Sequence, residues 1–389
     1  MKKSVAIIGC TGSIGTQTID VISHHRDVFD LKLITCHHNL EKAKESTTAF
    51  PDVLIGLHDQ LQASLFNQDI LIGDQAIIDW IISKKIQVVV IASSSIGTIS
   101  LVLSILPYVE RVALSSKEVI ILAGSLQFIT SEWKEKVLPV DSEHVAIHQL
   151  LRYADRENIH QVILTASGGP FYSQTPTPDL LKISPSQALK HPTWQMGKKV
   201  TIDSATMANK GIELLEAHYL FGFSTETLNV VIHPQSMIHA MLQLKGGSVI
   251  TQMAYPDMRF PIAYALFYPE LPSLPYIKPI EMDAFPDCSF IQTQATSIPI
   301  ISLALECLQG SSLKPLFYMM ADELAVETFL NHKIRFIEIA DFLRFCVIEL
   351  EKIYSIQNFQ VHQAEVPNFI SDVMQNTRRM LIQFKKQVE

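Results

Sequence analysis

The segment VAIIGCTGSIG, residues 5–15, places a short apolar run directly before a glycine-rich turn and a helical pattern. Glycine permits a tight turn and lets backbone N–H groups approach a pyrophosphate at the N-terminus of the following helix. The spacing is GxxGxxG and not GxGxxG, so an ordinary strand–helix turn is the alternative. We expect residues 5–8 to form a buried first strand and residues 9–15 to form a dinucleotide-binding loop.

Outward from that segment, strand-length and helix-length stretches alternate. Apolar runs of strand length lie at residues 5–8, 31–35, 88–92, 112–114 and 137–140. Amphipathic stretches such as 16–23 and 77–83 separate them. This alternation is typical of an α/β fold with a Rossmann-like, doubly wound parallel sheet, which we assign to residues 1–141.

The end of the second predicted strand indicates which dinucleotide is bound. An NAD site usually has an acidic residue there, which bonds the ribose hydroxyls. Here the strand ends Thr35-Cys36-His37-His38-Asn39, without a carboxylate. The residues therefore favour NADPH over NADH, with the imidazoles helping to hold the 2′-phosphate. A solvated loop is the alternative interpretation of the histidine pair.

Residues 142–265 predict a central α+β domain. We expect strands at 161–165 and 228–233, a hairpin at 237–244 and 248–254, and a helix at 205–220.

The last third of the chain changes character twice. Seven of the 19 prolines lie between Pro256 and Pro286, a density that resists regular structure. We interpret residues 266–295 as a proline-rich linker or wrapping arm. Helical spacing then predicts a C-terminal helical bundle over residues 296–389, with helices at 298–308, 316–330, 337–350 and 368–384.

Composition excludes several classes of protein. The 389 residues include 31 Lys and Arg against 39 Asp and Glu, a net charge of −8, which argues against a nucleic-acid-binding surface. The five cysteines form no CxxC pair, so neither a disulfide framework nor a zinc ribbon is indicated, and a cytoplasmic location fits. No apolar run approaches the ~18 residues of a membrane span. The apolar stretch between Lys3 and Cys10 is too short for a lipoprotein signal.

Two carboxylates follow the last predicted strand of the first domain. Asp141 and Glu143 are two residues apart, just beyond a carboxyl strand end, where active sites of open α/β sheets collect. Hard oxygen ligands of this kind suit Mg²⁺ or Mn²⁺. A solvated acidic loop is the alternative, because the D-x-E pattern is common.

A third carboxylate lies in residues 201–213, which begin strand-like and continue as a helix. The N-cap candidates are Asp203, Ser204 and Thr206. Asn209 and Lys210 fall on the same helix side as Glu213. A hydroxyl, an amide and an ammonium suit a phosphate, and the carboxylate beside them could complete a metal site. The alternative is a capped helix with a Lys–Glu surface pair.

Two further segments suggest ligand contacts. TASGGPF, residues 165–171, ends a strand in a glycine turn, and HPTWQMGK, residues 191–198, combines an aromatic with an irregular loop. We expect a lid at about residues 186–198 that closes over a ligand and excludes water. A packed structural loop is the alternative.

Together these segments resemble one family, 1-deoxy-D-xylulose 5-phosphate reductoisomerase of the non-mevalonate isoprenoid pathway. The resemblance covers nearly the whole chain and is carried by GCTGSIG (9–15), SKE (116–118), PVDSEH (139–144), TASGGPF (165–171), LKHPTWQMGKKVTIDSATMANKG (189–211), HPQSMIHAML (233–242) and PDMRFPI (256–262). Blocks of this length in this order are highly specific.

The resemblance implies roles for the matching positions. The metal ligands implied are Asp141, Glu143 and Glu213. The substrate contacts implied are Lys117, Ser142, Glu143, Ser167, His191, Trp194, Ser204, Asn209, Lys210 and Glu213. The NADPH contacts implied are Thr11, Gly12, Ser13, Ile14, Ser116, Glu118 and Gly197, and we add His37, His38 and Asn39. The catalytic set implied is Lys117 with the three metal ligands. A homodimer is also implied.

Three stretches depart from the family pattern. Ser115-Ser116 replaces the usual Ala-Asn before Lys117-Glu118, and His37-His38-Asn39 replaces the usual glycine, basic residue and Asn or Ser. A usual Asn-Ala-Ala-Asn-Glu reads Met319-Met320-Ala321-Asp322-Glu323. None of these changes a proposed metal or phosphate ligand.

The reaction implied converts 1-deoxy-D-xylulose 5-phosphate into 2-C-methyl-D-erythritol 4-phosphate by rearrangement and reduction with NADPH. Two other interpretations remain open on the residues alone. One is an NADP-dependent dehydrogenase of another phosphorylated aldehyde, against which the three carboxylates argue. The other is a non-catalytic NADPH or sugar-phosphate sensor, which loss of Lys117 or of any of the three carboxylates would have favoured.

Overall fold

The computed structural model describes residues 2–388 except 38, 59–69, 173–178, 191–196, 282, 284, 286, 293–297 and 355–360. The chain divides into two compact units. The first unit comprises Met1–Val119, Ile129–Val145 and Asp257–Lys278. The second comprises Ile120–Phe128, Ala146–Pro256 and Pro279–Glu389.

The strands, in chain order, are β1 (Lys3–Ile8), β2 (Phe29–Cys36), β3 (Leu54–Leu57), β4 (Ile70–Ile72), β5 (Val88–Ile91), β6 (Arg111–Leu114), β7 (Val137–Pro139), β8 (Ile159–Ala166), β9 (Leu228–Ile232), β10 (Ile238–Leu244), β11 (Val249–Met253) and β12 (Ile291–Gln292). The α-helices are α1 (Ser13–His24), α2 (Leu40–Thr47), α3 (Asp74–Ser83), α4 (Thr98–Ile105), α5 (Lys117–Ser125), α6 (Ser131–Lys136), α7 (Ser142–Leu150), α8 (Pro185–Ala188), α9 (Lys198–Thr206), α10 (Ala208–Phe221), α11 (Arg259–Phe267), α12 (Pro299–Leu308), α13 (Lys314–Leu330), α14 (Glu338–Tyr354) and α15 (Val366–Val388).

The first unit contains the predicted parallel sheet. Its strand order is β4-β3-β2-β1-β5-β6-β7, and all six pairings are parallel. The order reverses beside β1, which pairs with both β2 and β5, so the carboxyl end of β1 lies where such sheets bind ligands. Residues 5–8 of β1 are fully buried, as a strand covered on both faces requires. The doubly wound fold is therefore confirmed.

The proline-rich stretch contributes a helix to this unit. Helix α11 buries Ile262, Ala263 and Leu266 in the apolar cluster that includes Val5 and Ile7 of β1. The prolines of the stretch predicted irregular structure here. Pro261 is compatible with the helix because it lies in the first turn, where N–H groups have no partner within the helix.

The second unit is built on a five-stranded sheet of order β11-β10-β8-β9-β12. The predicted hairpin is present as the antiparallel pair β10 and β11, and β8 pairs in parallel with β9. The predicted C-terminal helices are α12 to α15. No helix in the described part of the chain is both long enough and apolar enough to cross a membrane.

The helix predicted at 205–220 and the strand-like start before it are both corrected. Residues 198–206 form helix α9, and a left-handed residue, Met207 at φ 69°, separates it from α10. Asp203 and Ser204 therefore lie inside α9, while the Thr206 hydroxyl accepts from the Ala208 N–H at 3.2 Å. The β-branched Val200, Thr201 and Ile202 favour a strand locally, but burial in tertiary packing decides the helix.

The close approach at the β1–α1 turn gives a first prediction. A Cβ at Gly15 would lie 2.3 Å from the Gly9 carbonyl oxygen, whereas a Cβ at Gly12 would meet nothing closer than 3.7 Å. Gly15→Ala should lower the free energy of unfolding by about 3 kcal/mol, and Gly12→Ala by less than about 1 kcal/mol. Urea denaturation of both variants measures this, and equal losses would contradict the packing argument.

Candidate active site

The glycine turn after β1 is shaped to receive a phosphate group. The N–H groups of Gly9 and Cys10 donate to the Thr35 carbonyl at 3.1 and 2.8 Å, which closes the turn onto β2. Gly9 has φ 93°, and a Cβ there would lie 3.0 Å from the backbone of Ala92 and Ser93. Helix α1 then begins with no side-chain cap at Gly12. The uncapped N–H groups and the space that only glycine leaves fit a dinucleotide pyrophosphate.

The other residues near this turn that are predicted to contact the nucleotide differ in exposure and in their hydrogen bonds. Gly12 and Ser13 are exposed, and Thr11 and Ile14 are half-buried. Asn39 caps α2 by accepting from the Lys42 N–H at 3.2 Å. The Lys42 ammonium reaches back to the Thr11 carbonyl at 2.7 Å. Sequence reasoning missed this cation, because only the fold brings α2 beside the turn.

A hydrogen-bonded row that the sequence did not reveal runs from the same turn. The Gly9 N–H donates to the Thr35 hydroxyl at 3.2 Å, which contacts His58 Nε2 at 2.8 Å. His58 Nδ1 contacts an Asp74 carboxylate oxygen at 2.5 Å. The hydrogen bond from His58 lowers the pKa of Asp74. These side chains lie at the carboxyl ends of β2 to β4, and together they fix the backbone of the turn.

The residues after β6 and β7 form an acidic site in the first unit. The Lys117 ammonium lies 2.5 Å from Asp141 Oδ2, and the buried His144 Nδ1 lies 3.1 Å from Asp141 Oδ1. Asp141 Oδ1 also accepts from the Glu143 N–H at 3.1 Å, so it caps α7. The Ser142 hydroxyl donates to Glu143 at 2.5 Å.

This environment keeps Asp141 ionised. Burial raises the pKa of Asp141, but the charges of Lys117 and His144 and their hydrogen bonds outweigh burial and hold the pKa well below its usual range. An ionised carboxylate beside Glu143 is the donor set that a hard divalent cation requires.

Ser116 and Glu118, both predicted to contact NADPH, differ in how deeply they are buried. Ser116, predicted to contact the cofactor, is 1% exposed. Its hydroxyl accepts from the Val119 N–H at 3.3 Å and donates to Glu118 at 3.0 Å. Glu118 itself is half-buried. The Ser116 side chain thus stabilises the start of α5.

In the second unit, two predicted phosphate contacts come together. The hydroxyls of Ser167 and Ser204 lie 3.4 Å apart. Gly169, at φ 67°, allows this approach, because a Cβ there would lie 2.8 Å from the Ser204 carbonyl oxygen. The Gly169 N–H donates to the Ser167 hydroxyl at 3.3 Å. Two hydroxyls beside a glycine turn suit the oxygens of a phosphate.

Helix α10 carries the other predicted phosphate and metal residues. The Asn209 amide and the Lys210 ammonium both contact the carboxylate of Glu213. Lys210 is 4% exposed and Glu213 is 1% exposed, so the surface-pair interpretation is wrong. Asn209 Oδ1 is buried and has no hydrogen-bond partner within the described part of the chain. The site therefore holds an acceptor that a ligand hydroxyl can satisfy.

The structure describes only part of the predicted lid. His191 and Trp194, like His38, lie outside the described residues. Gly197, near the end of the predicted lid, is the exposed N-cap of α9, and a Cβ there would contact nothing within 4 Å. His37 is exposed beyond β2.

The chain is similar to known proteins over most of its length. Three family models match: 1-deoxy-D-xylulose 5-phosphate reductoisomerase over residues 5–124, its C-terminal domain over 137–221, and a DXP reductoisomerase C-terminal domain over 253–380. Proteins named 1-deoxy-D-xylulose 5-phosphate reductoisomerase are similar along most of their length. The one from Thermomicrobium roseum is 40% identical and that from Thermoanaerobacter pseudethanolicus 38%, each over 88% of this chain and 90% or 91% of the relative.

Solved structures agree with those matches. A DOX-P reductoisomerase in complex with NADPH, fosmidomycin and magnesium is 30% identical, with a TM-score of 0.87 over 99% of both chains. The Zymomonas mobilis 1-deoxy-D-xylulose 5-phosphate reductoisomerase in complex with NADPH is 27% identical, with a TM-score of 0.83 over 98% of this chain and 99% of that one.

The Lys117–Asp141 pair gives a second prediction. Both side chains are less than a fifth exposed. Lys117→Met should lower the free energy of unfolding by about 2–4 kcal/mol at neutral pH, because it leaves a partly buried carboxylate without its ammonium. The loss should shrink as the pH falls through the pKa of Asp141, since a protonated carboxyl needs no cation. Urea denaturation across pH measures both effects.

A matched control is the exposed pair Lys32–Asp30, whose side chains are 45% and 44% exposed. Lys32→Met should cost less than about 1 kcal/mol. If the two variants lost stability equally and without pH dependence, the Lys117–Asp141 pair would have no special electrostatic role.

Proposed function

We infer the roles of single residues from one premise: the chain belongs to the 1-deoxy-D-xylulose 5-phosphate reductoisomerase family. It converts 1-deoxy-D-xylulose 5-phosphate into 2-C-methyl-D-erythritol 4-phosphate with NADPH and a divalent metal, in non-mevalonate isoprenoid precursor biosynthesis. The observation that carries this conclusion is the match to the family in three stretches between residues 5 and 380.

The metal ligands we propose are Asp141, Glu143 and Glu213. Their oxygen donors suit Mg²⁺ or Mn²⁺. Asp141 is held ionised by Lys117, and Glu213 is buried beside Lys210. When bound, the metal supplies a Lewis acid to the carbonyl and hydroxyl oxygens of the substrate.

The substrate phosphate, in our proposal, binds to Ser167, Ser204, Asn209 and Lys210. The two hydroxyls that lie 3.4 Å apart supply hydrogen bonds, and the Lys210 ammonium supplies charge. Ser142, His191 and Trp194 complete the substrate contacts that the family implies. Binding energy from this remote group orients the reacting carbons and favours closure of the lid, which excludes water.

For NADPH, we propose that the glycine turn binds the pyrophosphate through Gly12, Ser13 and the N-terminus of α1. Thr11, Ile14, Glu118 and Gly197 are further contacts implied by the family, and Ser116 acts through α5. At the 2′-phosphate, His37, His38 and Asn39 are assisted by Lys42, the cation bound to the Thr11 carbonyl. NADPH supplies the hydride that reduces the aldehyde formed by rearrangement.

We assign two roles to Lys117: it stabilises negative charge on the reacting oxygens of the substrate, and it donates a proton to them. Its ammonium is held 2.5 Å from Asp141 Oδ2 and is 16% exposed. A cation fixed in this way stabilises negative charge that develops on a substrate oxygen, without reorganising during the reaction. It can also donate a proton to that oxygen.

We propose that the active form is a cytoplasmic homodimer. The dimer rests on the family resemblance. The location rests on the five cysteines, which are scattered along the sequence and form no CxxC pair, as in proteins of a reducing compartment.

The third prediction tests the reaction. The assay measures the loss of NADPH absorbance in the presence of 1-deoxy-D-xylulose 5-phosphate. This oxidation of NADPH should require Mg²⁺ or Mn²⁺ and should stop when a chelator is added. The oxidation of NADH in the same assay should be much slower. Product analysis should find 2-C-methyl-D-erythritol 4-phosphate. Reduction without rearrangement would indicate a plain dehydrogenase, and NADPH binding without oxidation would indicate a sensor.

A variant pair sharpens this assay. Glu213→Gln should abolish metal-dependent turnover and keep the fold, because the amide is a poor ligand for a hard cation. Glu327→Gln, on an exposed position of α13, should behave as wild type. Normal turnover in Glu213→Gln would remove Glu213 from the ligand set.

A further inference from the structure

A cluster of three charged side chains lies within the second unit, outside the residues assigned above. The Lys199 ammonium contacts Asp203 Oδ2 and Asp322 Oδ2, each at 2.6 Å. Asp203 is 1% exposed and Asp322 is fully buried. Lys199 and Asp203 belong to α9 and Asp322 to α13, so the cluster joins two helices that pack together.

The charges of this cluster do not balance if both carboxyls are ionised. Two carboxylates beside one ammonium would leave a net negative charge in the interior, which is strongly unfavourable. Asp203 Oδ1 and Asp322 Oδ1 are also buried without a hydrogen-bond partner among the residues that the structure describes. One proton bound by the pair removes the excess charge, as in other carboxyl pairs that share a site.

Lys199 is a cation in contact with both carboxyls, and the helices packed nearby carry the following other titratable groups among the residues that the structure describes. Helix α8 has the sequence PSQA, without a charged side chain. Helix α10 presents Lys210 and Glu213, which pair with each other, and the buried Glu216. On α13 burial and both carboxylates raise the pKa of Tyr318 well above its ordinary value, and its hydroxyl donates to the Ile300 carbonyl. Cys307 of α12, whose pKa burial raises to about 12, is likewise neutral.

The effects on the pKa of Asp203 also indicate a bound proton. Burial and then the charge of Asp322 raise the pKa of Asp203 well above its usual range, although Lys199 opposes them. The pair therefore retains a proton at a pH where ordinary aspartates are ionised.

The cluster is connected to the phosphate contacts through α9. Asp203 directly precedes Ser204, whose hydroxyl faces Ser167. The backbone of Ser204 is also in close contact with the turn at Gly169, where even one Cβ would not fit. A shift of α9 away from α13 would therefore move Ser204 relative to Ser167.

We propose that Asp203 and Asp322 share one proton beside Lys199, and that this neutral cluster positions Ser204 for the substrate phosphate. The proposal rests on the proposed function of Ser204. Asp203, Asp322 and Lys199 are positioning residues, since they act through α9. When the proton is lost, the buried negative charge repels the substrate phosphate and loosens the contact between α9 and α13.

The proposal sets the sign of two pH dependences. The folded chain binds a proton that the unfolded chain has released, so the free energy of unfolding falls as the pH rises from the ordinary aspartate range towards the raised pKa of the pair. The KM for 1-deoxy-D-xylulose 5-phosphate should rise as the pH passes that raised pKa, by up to about tenfold per pH unit if only the protonated form binds. The kcat should change less than KM.

Asp322→Asn is the informative variant, because its amide can donate to Asp203 as the shared proton does. The variant should have a KM near that of protonated wild type and lose the rise of KM with pH. Its Tm should fall less steeply with pH than that of wild type. Glu327→Gln, an exposed carboxylate change on the same helix, should leave both wild-type pH dependences intact.

Infrared spectroscopy observes the proton directly. Wild-type protein at a pH where ordinary aspartates are ionised should show the carbonyl stretch of a buried protonated carboxyl group, and both Asp322→Asn and Asp203→Asn should lack it. This measurement on wild type needs no variant to fold and no substrate. Absence of the band, or parallel Tm curves for wild type and Asp322→Asn, would overturn the shared proton.

The KM measurements test separately whether the cluster positions Ser204 for the substrate phosphate. If wild type is active and the two KM profiles coincide although the band is present, the proton exists but does not position the phosphate site, and the proposal fails. If wild type does not turn over the substrate, the proposed function fails, while the infrared and Tm results still decide the shared proton.

Discussion

Buried carboxylates held beside lysine ammonium groups are the constraint on which the proposed chemistry of this chain depends. Asp141 is paired with Lys117, Glu213 with Lys210, and Asp203 and Asp322 with Lys199. Taking an unpaired carboxylate out of water costs several kcal/mol, and a neighbouring ammonium offsets that cost for these acids. The lysines thus keep acidic side chains ionised or in place inside the protein, where they can serve as metal ligands and as structural ties.

Sequence reasoning recovered what local pattern determines. The parallel sheet follows from short apolar runs with helical stretches between them, and the turn after β1 follows from glycines whose added Cβ atoms would collide with backbone. The break at Met207 has no comparable signal, because a left-handed methionine is rare and β-branched residues precede it. Packing of α9 against α13 determines that region, and packing is not local in sequence.

The site was predictable where motifs were contiguous and not where the fold alone assembles the contacts. Ser167 and Ser204 were found from their segments, and the structure places their hydroxyls in contact. Asp322 is separated from Lys199 by 123 positions, and Lys42 from Thr11 by 31, so neither contact could be predicted from the sequence.

The structure also shows what two of the residues that depart from the family pattern contact. Ser116 caps α5, and Asp322 lies in a carboxyl pair.

The most direct test of the account is a crystal structure with Mn²⁺, NADP⁺ and the substrate, examined by anomalous scattering at the manganese edge, because the oxidised cofactor has no hydride with which to reduce the substrate. The account predicts one manganese peak, with oxygens of Asp141, Glu143 and Glu213 at about 2.1–2.2 Å and the substrate phosphate on Ser167 and Ser204. Loss of the peak in crystals of Glu213→Gln would support the same assignment. A manganese peak bound by other residues, or none while substrate is present, would contradict it.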